Sequence, residues 1–117
     1  MSDIRLICLD MDGTLLDDDH ATVPPRNVAA LRAAAERGAA VTIASGRAWS
    51  LLRAVDAQIG VTRYAVLSNG AAVLDVATGE WIYRRPMEPN ARRTILTLLL
   101  DWGLPFEVYC EGENYIQ

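Results

Sequence analysis

Two aspartates separated by one residue stand directly after a short apolar segment near the start of the chain. Asp10 and Asp12 follow the run Ile4–Leu9, and Gly13 comes next. At a strand end, one such carboxylate can bind a cation and attack a phosphorus atom while the other transfers a proton. Gly13 lets the backbone turn and bring N–H groups towards a phosphate. Asp-Gly alone is a common turn dipeptide, but the whole run from Asp10 to Thr14 after an apolar strand favours the chemical interpretation.

Two further polar clusters follow apolar segments later in the chain. Ser45, Gly46 and Arg47 form the first, where a hydroxyl and backbone N–H groups at a helix N-terminus can bind an anion. Taken alone, Ser45 is better explained as an ordinary helix cap, and Arg47 can equally pair with a carboxylate or with a substrate. Asn69 lies in the second cluster, Ser68-Asn69-Gly70, which by itself is a turn signal. Because ligands bind at the carboxyl ends of strands in an open α/β sheet, three such clusters together indicate one site.

The elements that must position these clusters alternate between strand and helix. Apolar runs predict strands over residues 4–9, 40–44 and 65–67, and helices run from Pro25 to about Gly38 and from Ala48 to about Ile59. This alternation predicts the α/β class, with right-handed crossovers and a parallel sheet that carries helices on both faces. The first strand is then covered on both sides, and Cys8 within it is expected to be a buried thiol. The polar stretch from Asp10 to Thr22 is predicted to be a long loop, with Asp18, Asp19 and His20 on its solvated surface.

The pattern changes after Gly70. Residues 71–75 and 81–84 predict a hairpin, residues 88–103 a helix, and residues 106–110 another strand. We therefore expect two units, residues 1–79 and residues 80–117.

Composition limits the classes of function. The chain has 117 residues, 11 basic residues that are all arginine, 15 acidic residues and a net charge of −4. An acidic chain without a basic run is a poor candidate for binding nucleic acid or an anionic membrane. No apolar run approaches the ~18 residues of a membrane span, and no secretory signal pattern is present, so a cytoplasmic location is expected.

The motifs resemble those of the haloacid dehalogenase superfamily, and of its Cof-type sugar-phosphatase branch in particular. Residues 10–16 (Asp-Met-Asp-Gly-Thr-Leu-Leu) are similar to its first motif, residues 43–47 to its second, and residues 67–71 to a signature of the third strand. The resemblance implies a Mg²⁺-dependent phosphatase of small phosphorylated metabolites with a Rossmann-like core and an α+β cap that begins near Glu80. It implies that Asp10 is the nucleophile, and that Asp12 is the general acid/base and supplies a backbone carbonyl to the Mg²⁺ ion beside the Asp10 carboxylate. Phosphate binding would fall to Ser45 and Asn69, assisted by N–H groups near Gly13 and Gly46.

The chain departs from that family in its length. Members of this branch are more than twice as long, and they carry a lysine and an acidic Gly-Asp motif after the cap, whereas this chain has no lysine. Losing one preorganised charge-stabilising group costs about 10²–10³ in rate, so we expect the isolated chain to be nearly inactive. An unpaired sheet edge is also expected, which favours self-association.

Two alternatives stay open. The chain can be a truncated, catalytically inactive domain that binds Mg²⁺ or phosphate without turnover. A phosphoacceptor domain resembling a response-regulator receiver fits less well, because its acidic residues end different strands, whereas only the first strand here ends in aspartate.

Overall fold

The computed structural model describes residues 3–117. Three parallel strands and two connecting helices form its first half. They are β1 (Leu6–Asp10), α1 (Pro25–Glu36), β2 (Ala40–Ala44), α2 (Trp49–Ile59) and β3 (Thr62–Leu67). Two register pairs fix the alignment of these strands, since Ile7 lies opposite Val41 and Ile43 lies opposite Ala65. This arrangement confirms the α/β class with a parallel core.

Local sequence sets the ends of both helices. Pro25 occupies the first turn of α1, where its fixed φ suits the helix and its missing N–H costs nothing. Gly60 ends α2 in the left-handed conformation (φ 73°), and its N–H group donates to the carbonyl of Asp56 at 2.8 Å. A residue with a Cβ atom resists that conformation, so the glycine terminates the helix.

An antiparallel hairpin extends the sheet beyond β3. It consists of β4 (Ala72–Asp75) and β5 (Glu80–Arg84), and the strand order is β1-β2-β3-β4-β5. The sequence pattern predicted that residues 80–84 belong to the second unit, but β5 pairs with β4 in the same sheet as the parallel strands. The division into units stays a proposal, and this pairing favours a boundary after Arg84.

The core lies on one face of this sheet. Consecutive right-handed crossovers from β1 to β2 to β3 put both helices on the same side. Their buried side chains join those of the strands and of the turn after β1 in one cluster, which includes Leu31, Leu52, Val55, Ile59, Val41, Ile43 and Met11. Cys8 is exposed, so the expectation of a buried thiol was wrong. Leu6, which is 56% exposed, shares that uncovered face of β1, and within residues 3–117 the helical cover of this strand is therefore one-sided.

The remaining residues form a smaller unit. It contains α3 (Pro89–Asp101) and a separate hairpin of β6 (Glu107–Cys110) and β7 (Glu113–Ile116). The hairpin touches the start of α2, because the Ser50 N–H group donates to the Gly112 carbonyl at 2.8 Å. In the described part of the chain, no helix has the length and apolar character needed to cross a membrane.

Candidate active site

The carboxyl ends of the three parallel strands meet at one cleft. Because Asp10 lies opposite Ala44 and Ala44 lies opposite Val66, the polar residues that follow these positions are neighbours. The cleft has a volume of about 330 Å³ and is lined by Asp10, Ala44, Ser45, Gly46, Val66, Asn69 and Gly70. Four of the seven residues predicted for the site, Asp10, Ser45, Gly46 and Asn69, thus share one cavity.

Buried side chains anchor the turn that follows Asp10. Residues 11–15 make a single wide turn, closed by the Leu16 N–H group, which donates to the Met11 carbonyl at 3.0 Å. Met11 is fully buried and Leu15 is 4% exposed, so the two ends of this turn belong to the core, while residues 12–14 between them are exposed as a polar loop predicts. Gly13 has φ 75° and open space around the position of a Cβ atom, so the backbone conformation explains the glycine. Gly13 lies in this turn and is not among the residues that line the cleft.

Ser45 is held by its backbone and leaves its hydroxyl proton available. Its N–H group donates to the Val66 carbonyl at 2.9 Å, and its carbonyl accepts from the Asn69 N–H group at 3.3 Å. Its hydroxyl oxygen accepts from the backbone N–H group of Arg47 at 3.1 Å. Because that oxygen already accepts one hydrogen bond, the O–H group can donate to an oxygen atom in the cleft.

The side chain of Asn69 lies so close to Gly46 that position 46 has no room for a Cβ atom. A Cβ atom at Gly46 would lie 2.9 Å from the side-chain oxygen of Asn69, which is closer than real Cβ contacts. Ser68 and Asn69 both adopt left-handed backbone conformations, with φ 49° and φ 55°. Such conformations cost about 1–3 kcal/mol each for residues other than glycine, and they cluster at binding sites. The strained turn directs the Asn69 amide into the cleft beside Gly46.

Asp12 points into an ion pair and not into the cleft. Arg47 donates through Nη2 to Asp12 Oδ1 at 2.6 Å and through Nε to Asp12 Oδ2 at 3.2 Å. The Arg47 guanidinium group, joined by His20, lowers the pKa of the Asp12 carboxyl below its usual value. Of the two roles considered for Arg47, the structure therefore shows the pairing with a carboxylate. The pair keeps Asp12 ionised at neutral pH.

His20 is a neighbour of this pair that the sequence did not indicate. Its Nδ1 atom lies 3.1 Å from Asp12 Oδ1, although the side chain is 67% exposed. Its backbone carbonyl accepts from Arg47 Nη2 at 3.0 Å. Eight positions separate His20 from Asp12 within a predicted loop, and neither spacing nor periodicity signals the contact.

The chain offers part of a metal site. Among residues 3–117, no group of three His, Cys, Asp or Glu side chains is placed to hold a metal ion. In the same part of the chain, no donor hydrogen-bonds to the Asp10 carboxylate in the cleft. Mg²⁺ usually keeps several waters and takes one or two carboxylates together with substrate phosphates. The oxygen donors of Asp10 and of the Asp12 backbone fit such an ion as a partial ligand set.

A larger cavity lies between the sheet and the second unit, with a volume of about 770 Å³. Ser68 lines this cavity while Asn69 and Gly70 line the cleft, so one turn borders both. The other walls of the larger cavity are mainly apolar and aromatic, with three arginines, and they include Trp49, Trp81, Arg84, Arg85, Arg92, Ile95, Leu99 and Phe106. This combination suits a ligand with an apolar body and an anionic group.

Comparison with known proteins supports the interpretation of the motifs. The chain is 42% identical over 71 residues to an HMP-PP phosphatase of Serratia proteamaculans, which covers 61% of this chain and 26% of that protein. It is 34% identical over 73 residues to a 5-amino-6-(5-phospho-D-ribitylamino)uracil phosphatase of Bacillus subtilis, covering 62% of this chain and 29% of the relative. The chain therefore spans well under half the length of these relatives.

The fold matches a solved structure over most of the chain. A haloacid dehalogenase-like hydrolase from Bacillus subtilis superposes with a TM-score of 0.81 at 29% identity, covering 91% of this chain and 36% of that one. The family model described as haloacid dehalogenase-like hydrolase matches residues 7–117. These matches confirm the resemblance to the superfamily. A structure described as that of a HAD/COF-like hydrolase from Plasmodium vivax superposes with a TM-score of 0.82 at 27% identity, covering 97% of this chain and 43% of that one, which agrees with the Cof-type branch. The chain belongs to the haloacid dehalogenase-like hydrolases.

Proposed function

We propose that the protein is a Mg²⁺-dependent phosphatase of small phosphorylated metabolites, such as sugar phosphates, which acts through an aspartyl-phosphate at Asp10. The observation that carries the proposal is the meeting of Asp10, Ser45 and Asn69 in one cleft, next to the paired carboxylate of Asp12. Phosphoryl transfer requires a nucleophile, donors to the phosphoryl oxygens and a proton carrier close to one another.

In the first step the Asp10 carboxylate attacks the phosphorus atom, and the bond from phosphorus to the leaving oxygen breaks. Asp12 takes up the proton of the monoanionic phosphate ester and gives it to that leaving oxygen. In the second step water attacks the aspartyl-phosphate, Asp12 accepts the water proton, and Asp10 is released with inorganic phosphate. Ser45 and Asn69 donate hydrogen bonds to the phosphoryl oxygens. Because Arg47 lowers the pKa of Asp12, the free protein holds Asp12 as the base that the second step needs.

A Mg²⁺ ion bound by the Asp10 carboxylate and the Asp12 carbonyl would neutralise phosphoryl charge and position the phosphate. The remaining ligands would be water, the substrate, and groups outside residues 3–117. Asp10 presents a carboxylate oxygen without a competing hydrogen-bond donor among the described residues, and this supports the assignment.

The substrate class is supported by two observations. The two relatives named above are phosphatases of small phosphorylated molecules. In this chain the larger cavity, with Trp81 and Arg92 among its walls, borders the turn that carries Asn69. We propose that residues 85–117 act as a cap that selects the organic part of the substrate in this cavity. The acidic net charge of −4 disfavours nucleic acid and anionic membranes as partners, and we place the protein in the cytoplasm.

A second candidate is a domain that binds phosphate or Mg²⁺ without turnover. The chain has no lysine to neutralise a phosphoryl group, and its described residues supply only a partial metal site. Strand β1 also lies at an edge of the sheet. Edges of this kind pair with other strands, which supports self-association in either candidate.

The test compares this chain with the longest polypeptide that its reading frame encodes. Each is assayed with p-nitrophenyl phosphate and Mg²⁺, with and without EDTA, alongside Asp10→Asn and Asp18→Asn. We expect EDTA to abolish hydrolysis by the longer polypeptide, and Asp10→Asn to lower it by ~10⁴-fold or more. Asp18 is an exposed aspartate in the following loop, so its variant is the matched control and keeps the activity.

The outcomes separate the candidates. Hydrolysis that persists in Asp10→Asn rules out Asp10 as the nucleophile. Phosphate or Mg²⁺ binding without hydrolysis by either polypeptide supports the second candidate. Strictly Mg²⁺-dependent hydrolysis by the 117-residue chain alone shows that these residues suffice for turnover and contradicts the expectation of near inactivity.

A further inference from the structure

We propose that His20 is a positioning residue for Asp12, whose carboxylate it holds beside the cleft together with Arg47; this role rests on the proposed function of Asp12. Asp12 Oδ1 has two neighbours, Arg47 Nη2 at 2.6 Å and His20 Nδ1 at 3.1 Å, while Oδ2 has Arg47 Nε at 3.2 Å. The carboxylate is thus held from two sides. For His20 to donate, its Nδ1 atom must carry the proton.

His20 also restrains Arg47. The Nη2 atom of Arg47 donates both to Asp12 Oδ1 and to the His20 carbonyl, the latter at 3.0 Å. Three residues therefore form a closed set of contacts in which each touches the other two. Arg47 by itself could swing with Asp12 as a pair, because their side chains are 24% and 43% exposed. The contacts with His20 oppose this motion.

The loop that carries His20 is firmly built. The Asp19 carboxylate accepts from the N–H groups of Ala21 at 2.9 Å and of Thr22 at 2.8 Å, and also from the Thr22 hydroxyl. Gln58 on α2 then ties the loop to the core, because it donates to the Ala21 carbonyl at 2.8 Å and accepts from the N–H group of Val23 at 2.9 Å. A side chain on such a loop has a defined position, although it is exposed.

The backbone at His20 adds a constraint on residue type. Its φ of 55° lies in the left-handed region, where asparagine, aspartate and histidine are several-fold enriched among residues other than glycine. Of the residues that adopt this conformation readily, histidine and asparagine carry a side-chain N–H donor at short reach. The position therefore suits a residue that turns the chain and donates to Asp12.

Two matched variants separate the side chain of His20 from its backbone. His20→Gly keeps the left-handed backbone and the carbonyl that accepts from Arg47, but removes the donor to Asp12. His20→Asn keeps the conformation and places an amide nitrogen near the position of Nδ1. A displacement of about 1 Å at a reacting group can cost ~10²-fold in rate. In the active polypeptide we expect His20→Gly to lower kcat by about 10- to 100-fold with KM changed less than about 3-fold, and His20→Asn to recover most of that loss.

A spectroscopic measurement on the 117-residue chain tests the contact without relying on turnover. The ¹³C resonance of the Asp12 carboxyl is recorded at neutral pH in the unmodified chain and in both variants, with Asp18 as an internal reference. We expect the Asp12 resonance to shift in His20→Gly and to return towards its original position in His20→Asn. The same shift should be absent from Asp18.

The two measurements fail in different ways. Absence of hydrolysis together with the expected Asp12 shifts contradicts the proposed function and keeps the positioning contact. The proposal is overturned if the Asp12 resonance has the same chemical shift in the unmodified chain and in both variants. It is also overturned if His20→Gly retains full kcat, or if His20→Asn is as slow as His20→Gly while both variants show the circular dichroism and melting temperature of the unmodified chain.

Discussion

The two parts of the molecule differ sharply in how they are packed. Every buried side chain of the described residues lies between Met11 and Asp75, whereas none lies in residues 85–117. Helix α3 exposes three of its five larger apolar side chains by 42–54%, at Ile95, Leu98 and Leu100, and its Leu96 and Leu99 are only half-buried. Burial of apolar area is the main favourable contribution to folding. The first part therefore folds around its own core, while the second depends on a few contacts with it.

This difference separates two tasks. The groups proposed for chemistry, such as Asp10 and Ser45, follow strands whose other residues are core. The groups proposed for selecting the substrate, such as Arg92 and Ile95, lie on α3, which has no buried residue. Rigid elements hold reacting groups with the accuracy that catalysis needs, and weakly packed elements adapt and move. Within residues 3–117, the groups proposed for chemistry therefore stand on better-packed elements than the groups proposed for substrate selection.

The largest difference in stability between the two parts is expected when one isoleucine is truncated in each. Ile43 is fully buried in β2, and Ile95 on α3 is 43% exposed. We expect Ile43→Ala to lower the free energy of unfolding by about 2–5 kcal/mol, and Ile95→Ala by less than ~1 kcal/mol because little burial is lost. Urea unfolding followed by circular dichroism measures both. If Ile43→Ala does not fold, Ile43→Val should still cost about 0.5–1.5 kcal/mol. Equal costs at the two sites would show that the second part has a core of its own.

Removing one carboxylate from each of the two hairpins should give a smaller difference in the free energy of unfolding. Asp75 has a nearly buried side chain and accepts from Arg63 at 2.7 Å and from the N–H groups of Ala77 and Thr78 at 3.0 and 3.2 Å. Glu107 is exposed and accepts from Tyr109 and Asn114. We expect Asp75→Ala to lower the free energy of unfolding by about 1–3 kcal/mol, because three part-buried hydrogen bonds, one of them from a charged group, lose their acceptor. Glu107→Ala should cost less than ~1 kcal/mol, because water replaces its partners. A larger cost for Glu107 in the same urea experiment would contradict the comparison.

Much of the first part could be predicted from the sequence because its signals are local. The apolar run of β2 matched residues 40–44, and the predicted helices ended close to Glu36 and Ile59, next to glycines. Strand β3 was predicted too short, since Thr62, Arg63 and Tyr64 are polar or amphipathic and form a strand only through pairing with β2. Strand β7 was missed for the same reason, because it exists through pairing with β6.

Part of the candidate site could likewise be predicted from the sequence, and part could not. The meeting of Asp10, Ser45 and Asn69 follows from strand topology alone, and the structure confirms that they share one cleft. The orientation of Asp12 depends on Arg47, 35 positions further along the chain, and the placement of His20 depends on the fold of its loop. Such contacts are set by tertiary structure, which composition and spacing do not encode in any simple pattern. The exposed Cys8 shows the same limit, because strand hydrophobicity does not reveal which face is covered.

The contact between the two parts can be weakened without touching either one's interior. The Ser50 hydroxyl donates to the side-chain oxygen of Asn114 at 3.1 Å, and its backbone N–H group donates to Gly112. Ser50→Ala removes only the side-chain bond, which is worth about 0.5–1.5 kcal/mol. We therefore expect amide hydrogen exchange in β6 and β7 to become about 2- to 10-fold faster, with no change in β2. Ser50→Thr keeps the hydroxyl and serves as the control. Faster exchange in β2 as well would mean that the two parts unfold as one.

The smallest effect concerns two exposed carboxylates, one in each part. Hydrogen bonds from the Thr22 side chain and backbone and from the Ala21 N–H group lower the pKa of Asp19 to about 2, and N–H groups of Asn90 and Ala91 lower the pKa of Glu88 at the start of α3. A lowered pKa in the folded state means that each carboxylate stabilises the fold above the pKa of the unfolded chain, roughly 4. That stability is lost as the pH falls through the folded-state value.

Replacing one donor distinguishes the two carboxylates. Thr22→Val removes the hydroxyl that contributes most to the shift at Asp19, so we expect the pKa of Asp19 to rise while staying below its ordinary value, because the backbone donors remain. The pKa of Glu88 should not move. A ¹³C-detected titration of the carboxyl groups between about pH 5 and pH 1.5 measures both in one sample. The stability that Asp19 contributes should then be smaller, and its loss on acidification should be complete at a higher pH than in the unmodified chain, with the contribution of Glu88 in α3 unaffected. An unchanged Asp19 in Thr22→Val would mean that the Thr22 hydroxyl does not hold this loop, and the firm position inferred for His20 would lose one of its supports.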